Sequence, residues 1–284
     1  ADGVVVQAKE GAFKGKNDSL FSGKNLTNIT LRGAGRSPER AVLRMRKKDY
    51  QDPKKYERAE WRMGISLHDC SDVTIRNFTV TQTGGDGLYL GASSKGTNKN
   101  VLVEDMNFDA NHRLGMAVIS AENLTIRRTR FTNTLGTGPN GGIDFEPNYP
   151  GQRLVNCVLE DCVFTGNTKG SGIDIYTVNL NGDSPPISIT VNRGIISGNS
   201  VGLASTITRS TTNPATGTVT FNDCRFDHNA IRLRNALTGS AQHSFKNCTL
   251  DFSDSSNKKL AAWESTPIML TTDIPTGERA VGGI

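Results

Sequence analysis

Aromatic residues make up only 6% of the 284-residue chain and hydrophobic residues 35%, a lean supply that still suits a globular fold and excludes a disordered polyampholyte. No window reaches the ~18 to 20 consecutive apolar residues of a membrane helix, so a soluble chain without a membrane partner is expected. No charged-then-apolar leader opens the sequence. The five cysteines are odd in number and form no CxxC pair, and the four histidines (His68, His112, His228, His243) lie far apart, which argues against structural zinc and leaves the compartment open. Thirty-three basic against twenty-eight acidic residues give +5, too small an excess to name a partner. Prolines number ten but glycines thirty, several in pairs such as Gly84-Gly85 and Gly141-Gly142, so the chain turns often and is no helical bundle.

What is present is a repeat. Glycines followed by alternating apolar residues recur at Gly64, Gly87, Gly115, Gly142, Gly172 and Gly202, in steps of 23, 28, 27, 30 and 30 residues. Ahead of them stand strings such as Val73-Thr-Ile75 with Phe78, Val101-Leu-Val103 with Phe108, and Leu124-Thr-Ile126 with Phe131. Each copy holds about three short runs of period-two alternation and no helical period. Three short strands close one coil, and stacked coils place every strand beside its equivalent in the next copy. The expected fold is all-β: a single right-handed parallel β-helix over 1–284, with coils of about 23–30 residues. A leucine-rich repeat has a similar period but lacks the leucine pattern. Cys162, Cys224 and Cys248 share one coil position and read as buried, stacked free thiols. Six Asn-x-Ser/Thr strings, at Asn17, Asn25, Asn28, Asn77, Asn123 and Asn247, arise from the repeat rather than marking glycosylation.

Alternation also sorts the residues after each glycine. Two positions on, Ser66, Tyr89, Ala117, Asp144, Asp174 and Ala204 point outward; four positions on, His68, Gly91, Ile119, Glu146, Tyr176 and Thr206 do. The glycine row itself reads as bare backbone, the floor of a groove. Asp144 and Asp174 lie mid-strand, where Asp is a poor strand former and like charges on neighbouring rungs cost stability, so a site explains them better than structure does. With Asp86 from the preceding turn and Glu146 they form the candidate catalytic cluster, since carboxylates about 5 Å apart divide into a proton donor and an ionised partner. Arg113 and His112, in a turn beside the cluster, are candidates for holding substrate, as is His68.

The segment 36–62 combines a strand with a basic and aromatic insertion, Lys47 to Arg62, expected to fold over the groove. All five tyrosines fall near this region. Tyr89, Tyr176 and Tyr149, with Trp61 and Arg62, are candidates for stacking on sugar faces or gripping acidic groups. Nucleic acid is not expected, because a carboxylate floor repels phosphates.

With its repeat, roughly over residues 25 to 250, the chain resembles the pectate-lyase-like superfamily of β-helix proteins, which includes pectate lyases, polygalacturonases and mannuronan C5-epimerases. That resemblance implies a polysaccharide bound along the exposed sheet. Gly142-Ile-Asp-Phe-Glu-Pro-Asn148 is loosely similar to the Tyr-Gly-Phe-Asp-Pro-His string of alginate epimerases, with Asp144 matching the catalytic aspartate and Glu146 standing where a histidine acts. The Asp-Asp, Gly-His-Gly and Arg-Ile-Lys signatures of polygalacturonases are absent. Asp86, Asp144 and Asp174 also compare with the aspartates of calcium-dependent lyases.

The expected function is a polysaccharide-degrading glycoside hydrolase acting on an acidic glycan, because the carboxylates supply both an acid and its partner. Lyase or uronate C5-epimerase chemistry in the same groove is the alternative, and a glycan-binding β-helix without turnover is a second. No cofactor or metal is expected unless a lyase requires calcium. The resemblance implies a secreted or periplasmic protein. The start at Ala1-Asp-Gly suggests a processed or truncated piece, and 251–284, with Trp263 and Pro267, loses the repeat and reads as a cap or tail.

Overall fold

The structure, a computed structural model, describes residues 4–35, 37–235, 237–252 and 266–271. Among these, the strands form three parallel sheets of nine, nine and eight members, every third strand in chain order lying beside the next. One coil runs Asn98–Glu104, Asn107–Asp109, Leu114–Val118; the next runs Ala121–Arg127, Arg130–Thr132, Gly141–Phe145. This is the right-handed parallel β-helix that the repeat predicts. The only helical segments among the described residues are the 3-10 turn Pro38–Arg40 and the short α-helix Lys47–Tyr50.

The corners explain the Asn and Asp content. Where the chain leaves the eight-stranded sheet, Asn77, Asp105, Arg128, Asp161, Arg193, Asp223 and Asn247 all take φ between 48° and 64°, a left-handed conformation that Asn and Asp tolerate better than most residues. Asn25, Asn28, Asn77, Asn123 and Asn247 all have positive φ, so the Asn-x-Ser/Thr strings at these five sites mark coil geometry. Just past the corner, Phe78, Met106, Cys162 and Cys224 turn into the core, and all five cysteines are free. At another corner a buried amide ladder runs from Asn167 through Asn199 to Asn229, with Nδ2 donating to Oδ1 at 2.8 and 2.7 Å, and it satisfies buried backbone N–H groups along the way.

Inside the coils, Val80, Phe108, Phe131, Phe164, Ile196 and Phe226 fall in one register column. The Phe108 and Phe131 rings stack at 5.4 Å, and those of Phe131 and Phe164 at 5.0 Å. Phe78 stands at the corner, and Val80 fills its coil's place in the column. The glycine row serves this core rather than a ligand: a Cβ on Gly142 would lie 2.4 Å from the Gly172 carbonyl oxygen, and one on Gly115 would lie 2.6 Å from that of Gly142 and 2.8 Å from the Phe131 ring. These glycines are buried, which corrects their reading as a groove floor.

At the N-terminal end, among the described residues Val4–Gln7 pairs only with Ala41–Arg44, and Val4, Val5 and Val6 are about half exposed. At the other end Asp251 still pairs with Asp227 in the repeat, and Ile268–Thr271 joins the groove sheet beside Ile231–Arg234; Trp263 lies outside the described residues.

Candidate active site

The nine-stranded groove sheet includes Ile65–His68, Leu88–Gly91, Leu114–Val118, Gly141–Phe145, Ser171–Tyr176 and Val201–Thr206. Its register places Ser66, Tyr89, Ala117, Asp144, Asp174 and Ala204 in one outward column, as alternation predicts. Asp144 and Asp174 are therefore direct neighbours across a rung, ~4.8 Å apart at the backbone. Asp144 points away from the coil yet is only 3% exposed, and its Oδ1 is buried without a hydrogen-bond partner. Burial first, then the charges of Asp174 and Glu146, push its carboxyl well above the usual range. Asp174 is half-buried; burial lifts it to about 6, against hydrogen bonds from Ser171 and a backbone N–H.

Arg113 bridges the other two carboxylates. Its Nη1 lies 3.3 Å from Asp86 Oδ2 and its Nη2 3.2 Å from Glu146 Oε2. Burial works against the guanidinium's charge, but Asp86, Glu146 and Asp144 outweigh it and hold its pKa above normal. Asp86 is fully buried, and burial raises it to about 7 despite Arg113. It sits three positions upstream of the Asp144 column, as Arg113's anchor; Asp174 is the direct partner of Asp144. Glu146 is the carboxylate of the Arg113 bridge that reaches solvent, its side chain 30% exposed. Arg113 thus lies between Asp86 and Glu146. Among the described residues no group of three His, Cys, Asp or Glu side chains is arranged to hold a metal.

The aromatic candidates divide. Tyr89 is half-buried beside the cluster, its hydroxyl raised to about 12 by burial and by Asp86, and its ring lies 5.4 Å from that of His68. These two, with Trp61, Ser66, Met63, Asn17 and Ser19, line a cavity of about 500 Å³. Tyr176 follows Asp174 on its strand and accepts a hydrogen bond from Arg209. Tyr149 is exposed in the turn after Glu146, and its N–H donates to Gln152.

His112 faces elsewhere. Its Nδ1 lies 2.9 Å from Gln51 Nε2, in a second cavity of about 740 Å³ between the insertion and Gly136-Thr137, also lined by Trp61. Arg62 has no exposed surface: its guanidinium donates to the carbonyls of Phe13, Lys14 and Glu57 and lies between the rings of Tyr50 and Tyr56. Arg62 is thus the internal clamp of the insertion and not a substrate ligand. Tyr50 and Tyr56 belong to a small second core with Ala8 and Met45, so not all five tyrosines serve the groove. Part of the charge in and around the insertion is engaged as well. Lys47 donates to the carbonyls of Ala110 and Asn111, Arg46 and Lys55 pair with Glu10 and Asp49, and Lys16 pairs with Glu57.

The family model described as "right handed beta helix region" matches residues 59–250. The chain belongs to this right-handed β-helix family. No curated protein matches it. Among solved structures this β-helix is similar to the tailspike protein gp49 of the Acinetobacter baumannii bacteriophage Fri1, a capsular polysaccharide depolymerase, at 16% identity and a TM-score of 0.42. The match covers 80% of this chain but 38% of the tailspike chain. No described helix of this β-helix protein is long and apolar enough to cross a membrane.

Proposed function

We propose that this β-helix protein is a polysaccharide-degrading glycoside hydrolase working outside the cytoplasm, with Asp174 and Glu146 meeting the substrate and Asp144 behind them. The observation that carries the reading is the Asp144–Asp174 pair, two carboxylates on adjacent rungs with one sealed from water. Like charges so close do not both ionise readily, so the pair keeps a proton at neutral pH. That proton rests on Asp144, and Asp174, the more exposed member, takes it over and delivers it to the glycosidic oxygen as its bond to the anomeric carbon breaks. Glu146, oriented by Arg113, takes a proton from the water whose oxygen attacks that carbon.

Glu146 stands one rung and two residues from Asp174, roughly 8 Å between backbones. Side chains leaving the same face from positions so spaced suit the wider carboxyl separation of an inverting pair, which leaves room for water, better than the ~5 Å of a retaining one. Elimination finds weaker support: burial makes Tyr89 a poor base, and Arg113 is held by two carboxylates.

The test is a panel of neutral, uronate-containing and sulfated polysaccharides, read by new reducing ends and by the ultraviolet absorbance of unsaturated products. Reducing ends without that absorbance, lost in Asp174→Asn and Glu146→Gln, support hydrolysis. Absorbance appearing with the ends turns the reading to a lyase, and glycan binding without either signal turns it to a binding protein.

A further inference from the structure

The 500 Å³ cavity beside the cluster has a composition that bears on the substrate. Its lining includes Trp61, Tyr89, His68, Ser66, Asn17 and Ser19, with no Lys, Arg, Asp or Glu. Trp61 is 46% exposed and Tyr89 half-buried, which leaves aromatic surface for an apolar sugar face, while the hydroxyls and the amide offer hydrogen bonds. Burial holds His68 below its ordinary pKa, with Asp69 and Lys24 nearby acting in opposite directions, so the ring is neutral at pH 7. Tyr89 is two rungs from Asp144, roughly 10 Å and about the length of a disaccharide.

Three cations close to this path are already used. Arg113 is shared by Asp86 and Glu146, Arg62 is sealed in the insertion, and Lys47 is bound to backbone carbonyls. Four carboxylates face the one guanidinium of Arg113 at the cluster, so a sugar carboxylate or sulfate entering there meets net repulsion. The expectation of an acidic glycan rested on the insertion's basic residues, of which Lys47, Lys55 and Arg62 are internally held.

We propose that the cavity formed by Trp61, Tyr89 and His68 is a subsite for an uncharged sugar ring, so the glycan is neutral where it enters the carboxylate site. This rests on the polysaccharide-hydrolase reading. The test is calorimetric titration of full-length Asp174→Asn protein, which holds glycan without turnover, using neutral hexasaccharides (gluco-, manno-, xylo- and galacto-configured) and hexauronates. The expected result is binding of a neutral hexasaccharide that is unchanged between about 50 and about 500 mM NaCl. Adding Trp61→Ala, at a surface position that leaves the fold intact, weakens it about tenfold, and Trp61→Phe restores most of it. Hexauronate binding that falls with salt, or neutral binding indifferent to Trp61→Ala, overturns the subsite. Neutral binding as expected, with no reducing ends from the wild type, upholds the subsite and sinks the hydrolase reading alone.

Discussion

Asp144 and Asp174 face each other across one rung of a parallel sheet, and the deeper of the two has a carboxyl oxygen with no hydrogen-bond partner. A fold that wanted only stability would not stack two acids there. The pair costs folding free energy at neutral pH, which gives a stability signature independent of substrate. Asp174 has a folded pKa near 6, above its ordinary value. A group raised in this way stabilises fully below its unfolded pKa and loses that contribution as pH rises through the folded one. Stability should therefore fall between about pH 4 and pH 7. Asp174→Asn removes the loss and stabilises the protein at pH 8, by up to about 3 kcal/mol. Urea denaturation of both proteins at pH 5 and pH 8 checks this, and equal slopes with pH would count against the pair.

Arg113 holds two carboxylates, one of them fully buried. Arg113→Ala leaves Asp86 buried beside no cation and should destabilise the fold by about 3 to 5 kcal/mol at pH 8. The loss should be smaller at pH 5, where Asp86, raised to about 7, takes up a proton. A loss equal at both pH values would mean that the contact is mainly packing.

Much of this architecture is legible in the sequence because a coil repeats with little change. The glycine spacing, the alternation and the Asn and Asp corners are local signals renewed about every 30 residues, and they suffice to place Asp144 and Asp174 side by side. The glycine row is legible as a row but not in its purpose, since its neighbours are carbonyls one coil away, from Gly115 to Gly142 and from Gly142 to Gly172. The insertion has no period to read. Arg62 is buried by contacts with Phe13 and Lys14, about fifty residues upstream, and Lys55 is paired with Glu10. A run of lysines and tyrosines looks the same in sequence whether it grips a ligand or itself.

The glycine row invites a direct check. Gly142→Ala puts a Cβ 2.4 Å from a backbone oxygen that cannot swing aside. It should destabilise the protein by at least about 2 kcal/mol, an overpacking cost, through separation of two rungs. Thermal denaturation reads this, and a wild-type Tm would restore the row as free groove floor.

Arg62→Ala separates clamp from ligand. If Arg62 locks the insertion, the variant should be cut faster by trypsin within residues 47–61, while the coils from Asn98 onward keep their protection in hydrogen exchange. Undisturbed proteolysis with weakened glycan binding would return Arg62 to the substrate.

Stereochemistry tests the spacing of Glu146 and Asp174. Proton NMR of the newly released anomeric centre should show inversion; retention would instead make the adjacent pair Asp144 and Asp174 the working carboxylates.

The central claim is that Asp144 and Asp174 share a proton at neutral pH, and it can be measured without knowing the glycan. Carbon-13 NMR of protein labelled at the Asp carboxyls, titrated from about pH 3 to pH 9, should show carboxyls titrating well above the ordinary Asp value of about 3.9. Two of them should belong to the pair, with the coupled behaviour lost in Asp174→Asn. If every Asp carboxyl titrates below about pH 5, no proton is held and the account fails.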